Sequence, residues 1–265
     1  MNIIKPKLLK KGDTIGILAP SGAMGDDDTK LKRGIKFFED RGFKVKLSDN
    51  IYSRNKYLAG NDEERLNALH KMFLDKSINA IICLRGGYGA IRLINKIDYN
   101  IIKENPKIFC GYSDITALNA MFLKRAGLST FSGPMILSDF GQENICDYTI
   151  EKFFQTVQDG KFDYDGKFWG GNLSTLVSLC GQDFIPDFKF TLFLEDLNEP
   201  PYKIDKMVTQ LFNIEKLRKN TEAVAIGDFL EIDEDINYIF EDLKIPLIKN
   251  FPASHSEKKA TIPIG

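Results

Sequence analysis

The chain has 265 residues, 43% of them apolar and 28% charged, the usage of an ordinary folded protein with length for one large domain or two modest ones. Its 36 Lys and Arg nearly cancel its 37 Asp and Glu, for a formal charge of -1. No chain-wide basic field exists to gather nucleic acid or an anionic membrane surface, and a small-molecule or peptide substrate is the better expectation.

The N-terminus carries Lys5, Lys7, Lys10 and Lys11, but Gly12-Asp13 interrupts where a secretory signal needs about 7–15 apolar residues. No run approaches the roughly 18 apolar residues of a membrane helix. The four cysteines (Cys83, Cys110, Cys146, Cys180) form no CxxC pair, and three sit in apolar segments. They read as buried free thiols in a reducing compartment, so a cytoplasmic protein is expected.

Residues 14–19 form an apolar strand closed by Pro20-Ser21-Gly22, and residues 28–41 place Leu31, Ile35 and Phe38 at helical spacing before Gly42 ends the helix. An alternating strand follows at 44–47. A second helix opens near Asn61-Asp62-Glu63-Glu64 with Leu66, Leu69 and Phe73 on one face. The buried strand at 80–84 empties into Arg85-Gly86-Gly87-Tyr88-Gly89. Another strand spans 107–111, and a helix runs from Asp114 to Arg125. Strands alternating with helices predict a parallel sheet covered by helices. Residues 159–171, rich in Gly, Asp and aromatics, read as a loop or hairpin at a domain junction. Beyond them come a short helix at 173–179, a strand at 190–194, a helix over 204–212, a strand at 223–226, and apolar segments at 246–248 and 261–264.

Four segments hold candidate chemistry. In Gly111-Tyr112-Ser113-Asp114-Ile115-Thr116, a strand leads in and a helix leads out. Ser113 in that turn either caps the helix or is a nucleophile with backbone N–H groups beside it for an oxyanion. Ile115 stands where the G-x-S-x-G elbow of lipases and esterases has its second Gly, which argues against that fold. Arg85–Gly89 is an ordinary tight turn or a loop that brings backbone N–H groups close to a ligand; it matches neither a Walker loop nor G-x-G-x-x-G. Of only two histidines, His70 falls on the flank of a helix, where a solvated position is expected, and His255 lies in a loop after an apolar strand. Glu195 and Glu199 arrive at the C-terminal end of the 190–194 strand, as solvated loop acids or as partners for a histidine. Two histidines and scattered cysteines offer no zinc pattern, and no metal or organic cofactor is expected.

Together these segments resemble the LD-carboxypeptidase family, which includes the microcin C self-immunity peptidases. The likeness covers nearly the whole chain, in order. It runs through Lys11–Gly16 with Ala19–Gly22, Arg85–Ala90, Gly111–Leu118, Phe131–Met135, Trp169–Leu173, Leu194-Glu195-Asp196 with Glu199, and His255 with Pro263-Ile264-Gly265. The resemblance implies an α/β fold, with an N-terminal flavodoxin-like or amidotransferase-like domain (1–160) carrying the nucleophile. A smaller C-terminal α+β domain (170–265) would carry the other two triad members. It implies Ser113 as nucleophile, Glu195 as acid and His255 as base. By analogy, the N–H groups of Asp114 and of Gly86 or Gly87 form the oxyanion hole, and Arg85 and Asn172 grip a substrate carboxylate. The implied reaction releases the terminal D-alanine of a murein tetrapeptide in cell-wall recycling, and a homodimer is expected. Cleavage of peptidyl-nucleotide antibiotics and non-catalytic peptide binding are the alternatives. Two departures stand out. Ser254 replaces the glycine usual before the histidine, so a local change in that loop is expected, since Ser tolerates positive φ poorly. The sequence also stops at Gly265, about where relatives add a short strand and tail.

Overall fold

The computed structural model describes residues 2–232 and 234–265. Its first half alternates strand and helix as the periodicity predicts. Strands β1 (Thr14–Leu18), β2 (Lys44–Leu47), β3 (Ala80–Cys83), β4 (Ile108–Cys110) and β5 (Thr130–Ser132) alternate with helices α1 (Thr29–Glu39), α2 (Asp62–Leu74), α3 (Tyr99–Glu104) and α4 (Thr116–Met121). The α2 start is fixed by a reciprocal cap. The Asn61 side chain accepts the N–H groups of Glu63 and Glu64 at 2.9 and 3.0 Å, and Glu64 accepts that of Asn61 at 2.7 Å.

Every residue of β3 is fully buried, as befits a central strand with helices on both faces. Side-chain alternation splits them: Ala80 and Ile82 enter one core with Leu31, Phe38, Phe140 and Phe153, while Ile81 and Cys83 enter the other with Phe73, Phe109 and Leu118. That second core is continuous with the interior of the second half, including Trp169, Phe190 and Phe193.

After α5 (Asp147–Asp159) the chain builds a second sheet from β6 (Phe168–Asn172), β7 (Phe190–Leu197), β8 (Thr221–Leu230) and β9 (Leu247–Ile248). Helices α6 (Leu173–Ser178), α7 (Pro201–Phe212), α8 (Glu215–Asn220) and α9 (Asn237–Glu241) lie between these strands in sequence, and all four strands run parallel. Strand β10 (Ile262–Ile264) then returns to the first sheet and pairs antiparallel with β5, giving the order β10-β5-β4-β3-β1-β2.

Three expectations are corrected. The 159–171 stretch is loop only in part, because Phe168–Gly171 already belong to β6. The reason is contact: a Cβ on Gly170 would lie 1.9 Å from the Phe193 carbonyl oxygen and one on Gly171 2.5 Å from Thr116 Oγ1, so the glycines let β6 press against β7 and α4. The helix after Ser113 is not continuous. A 3₁₀ turn (Ser113–Ile115) leads into α4, and a π-helical turn (Phe122–Ala126) ends it. His70 is half-buried rather than solvated, and its Nε2 accepts the Asp98 N–H at 3.0 Å. Among the described residues, no helix is long and apolar enough to cross a membrane.

Candidate active site

The C-terminal ends of β1, β3 and β4 present three loops side by side. Ser113 opens the turn after β4 with φ of +61°, a left-handed conformation that costs a non-glycine residue about 1–3 kcal/mol and persists only where the surroundings enforce it. Those surroundings are visible. A Cβ at Gly86 would lie 2.9 Å from both Cβ and Oγ of Ser113 and 3.5 Å from the Asp114 nitrogen, so only a glycine backbone passes over the serine here.

Asp114 fastens the three loops. Its buried Oδ2 accepts the Ser21 hydroxyl at 2.5 Å and the Ala90 N–H at 2.8 Å. Burial nevertheless pushes the carboxyl above its usual range, against the pull of those two bonds. Arg65, fully buried on α2, donates to the carbonyls of Pro20 (2.7 Å) and Gly89 (2.8 Å) and to Asp62 (2.7 Å). The Asp114 side chain is thus a loop clasp, and the N–H of this residue is the group that stands beside Ser113.

The second half supplies an acid and a histidine. Glu195 lies on β7 and is buried; His255 lies in the loop between β9 and β10, its side chain only 15% exposed. His255 Nδ1 and Glu195 Oε2 are 2.5 Å apart, a short charge-assisted bond that directs Nε2 away from the acid. Burial pulls the imidazole down, but the hydrogen bond and charge of Glu195, with the charge of Asp196, outweigh it and hold its pKa above the ordinary value. The His255 ring meets Tyr112 edge-on at 5.0 Å between centroids, so it stands against the residue preceding Ser113. No hydrogen bond joins the Ser113 hydroxyl to the ring in this structure; such contacts often tighten only with substrate bound.

The halves are pinned together next to this point. The Asn172 N–H at the end of β6 donates to Thr116 Oγ1 at 3.1 Å, three residues past Ser113. Asn172 is paired in register with Glu195, and its amide donates to Asp196 Oδ1 at 2.8 Å. Its side-chain oxygen caps α6 through Thr175, and the residue is buried. These bonds hold Asn172 inside the protein, where it orders the acid strand. Arg85 stands elsewhere: it is exposed and lines a cleft of about 430 Å³ with Asp26, Asp27, Lys30, Ser138 and Gln142. Gly87 continues the same loop, held close to Gly22.

The loop before the histidine resolves the Ser254 departure. Ser254 is absent from the residues with positive φ, so no glycine is demanded there, and its hydroxyl accepts the Ser256 N–H at 2.8 Å. Glu199, the other acid considered, contacts Lys203 at 3.4 Å rather than the histidine.

Sequence reasoning missed Arg65, Tyr112, Asp139 and Lys259. Arg65 had a signal, since it shares the buried stripe of α2 with Ala68, Leu69 and Met72, and a cation on an apolar face needs partners. Among the described residues, no cluster of three or more His, Cys, Asp or Glu side chains is arranged to hold a metal ion.

The α/β fold thus carries a strained serine turn whose Tyr112 packs on the histidine of a buried acid–histidine pair. Residues 15–133 match the LD-carboxypeptidase N-terminal domain and residues 165–265 match the LD-carboxypeptidase C-terminal domain; the chain belongs to this family. Among individual proteins it is similar to a Bacillus subtilis protein named "Probable murein peptide carboxypeptidase", 36% identical over 98% of this chain and 89% of the relative. The crystal structure of muramoyltetrapeptide carboxypeptidase from Oxalobacter formigenes superimposes with a TM-score of 0.85 at 31% identity, covering 95% of this chain and 92% of that one. The microcin C7 self-immunity protein MccF of Escherichia coli is 26% identical over 97% of this chain and 90% of its own length.

Proposed function

We propose that the protein is a serine LD-carboxypeptidase that hydrolyses the amide joining an L-centre to the terminal D-alanine of murein tetrapeptides, in the cytoplasmic recycling of wall fragments. The observation that carries this reading is the 2.5 Å bond between buried Glu195 and His255, set against the residue preceding a strained Ser113. The names of the relatives support the substrate class.

In this mechanism the Ser113 oxygen attacks the scissile carbonyl carbon while His255 Nε2 takes its proton. Glu195 accepts a hydrogen bond from the Nδ1–H throughout without taking the proton, fixing the tautomer and stabilising the imidazolium. The N–H groups of Asp114 and of Gly86 or Gly87 hold the oxyanion, each such donor contributing about 2.7–4 kcal/mol to the transition state. The imidazolium then protonates the departing D-alanine nitrogen. Water, activated by the same base, releases the acyl group and restores the serine. Arg85, exposed in its cleft near Lys30, is the cation available for the substrate's terminal carboxylate.

Mass spectrometry of disaccharide-tetrapeptide and free tetrapeptide incubated with wild type and Ser113→Ala tests the reading. Loss of a single terminal D-alanine with wild type alone is the expected result. Equal loss with both proteins refutes Ser113 as nucleophile. No loss with either, together with cleavage of a peptidyl-sulfamoyl-adenylate, would move the protein to the antibiotic-inactivating activity.

A further inference from the structure

Beneath the acid–histidine pair lies a second buried ion pair that the mechanism does not use. Lys259 follows His255 by one loop turn and is 2% exposed; Asp139, on the π-helical turn Ile136–Phe140, is 4% exposed. The Lys259 ammonium donates to Asp139 Oδ1, and Asp139 Oδ2 accepts the Met135 N–H at 2.8 Å. Two charges so deep in a protein cost several kcal/mol each in lost hydration, which their attraction only partly returns. A well-packed apolar pair would hold the fold as well or better, so stability alone is a poor reason for this one.

Its location supplies a reason. The Lys259 nitrogen lies over the Tyr112 ring, 4.6 Å from the centroid, and that ring packs in a T-shaped contact with His255. Lys259 also lines the same small cavity as Glu195, Tyr112 and Ser254. The charged and titratable groups around the imidazole are therefore Glu195 and Asp196 from β7, Tyr112 from the serine turn, Asp139 from the π-helical turn and Lys259 from its own loop. Three are carboxylates and one is a cation. Left to the carboxylates alone, the ring would hold its proton to higher pH.

We propose that Lys259, anchored by Asp139 under Tyr112, is a positioning residue that offsets the surrounding carboxylates and so keeps His255 available as a neutral base. The electrostatic direction agrees: the Lys259 charge opposes the rise that Glu195 and Asp196 impose on His255. This rests on the proposed role of His255, but its test does not require a substrate.

The chain has two histidines, so NMR titration of histidine-labelled protein resolves His255 with His70 as the internal reference. In Lys259→Met the His255 midpoint moves up, by roughly a few tenths of a pH unit to one unit, the order expected for removing a nearby cation from a protein interior. In Asp139→Asn, which leaves the ammonium unopposed, the midpoint moves down. In the double variant it returns to near the wild-type value. If a tetrapeptide is a substrate, the acid limb of kcat/KM follows the same order, while the high-pH plateau of Lys259→Met stays within a few fold of wild type. A midpoint that does not move in folded Lys259→Met, or activity lost equally at every pH, would reduce Lys259 to packing. Should Lys259→Met fail to fold, Lys259→Gln takes its place: an upward midpoint supports the proposal, and no shift or a fall overturns it, whereas Asp139→Asn, itself one of the surrounding carboxylates, is read only beside the double variant. Loss of the murein activity with these shifts intact would refute the substrate and leave the positioning role standing.

Discussion

The two halves of the site are built on different physical principles. On the serine side, position is enforced by backbone: a left-handed Ser113, a glycine pressed against its side chain, and loops tied through the Asp114 and Arg65 hydrogen bonds. On the histidine side, position is enforced by buried charge, with Glu195, His255, Asp139 and Lys259 paired in an interior that water does not relieve. A nucleophile needs a fixed direction, which backbone sterics provide. A base needs a tuned proton affinity as well, which burial, hydrogen bonds and neighbouring charges set together.

This contrast predicts which variants lose chemistry and which lose the fold. Glu195→Gln keeps the shape of the histidine side and removes its charge, so kcat falls by about 10⁴-fold with little change in melting temperature. Steady-state kinetics beside thermal melts check it, and a drop below tenfold would erase the contrast. Arg65→Met acts on the serine side in the opposite sense. It strands the Pro20 and Gly89 carbonyls, each costing about 1–3 kcal/mol, and denaturant unfolding reads the loss. Gly86→Ala forces the loop off Ser113 and lowers kcat by roughly 10²-fold, the cost of about 1 Å of misplacement, while KM changes less. The smallest effect is in pH. With His255 raised, its contribution to stability is full below the ordinary histidine value near 6.5 and is lost as pH rises through the folded value; the acid limb of kcat/KM lies above about 6.5 for the same reason. Melting temperature against pH for wild type and His255→Asn isolates that part.

Legibility followed the same divide. The parallel sheet, the strand-to-helix turn at Ser113 and the glycine loop after β3 were readable because periodicity and glycine spacing are local properties. The place of Glu195 at the end of a strand was readable too. Asp139 and Lys259 were not, since each looks like an ordinary surface charge until the fold brings them together across the chain. The bonds of Asn172 to Asp196 and Thr175 were not readable either, because they depend on the register of β6 against β7, which no single-strand pattern encodes. Likewise β6 was obscured by its two glycines, whose purpose is a contact with Phe193 and Thr116 far along the chain.

The return of β10 to the first sheet also bears on how the molecule is made. During vectorial synthesis β5 emerges from the ribosome as an open sheet edge, and its partner follows only after the whole second sheet has been translated. An unpaired edge of this kind is a template for joining other chains. Until the tail arrives, the N-terminal half therefore carries a sheet edge that the finished molecule covers.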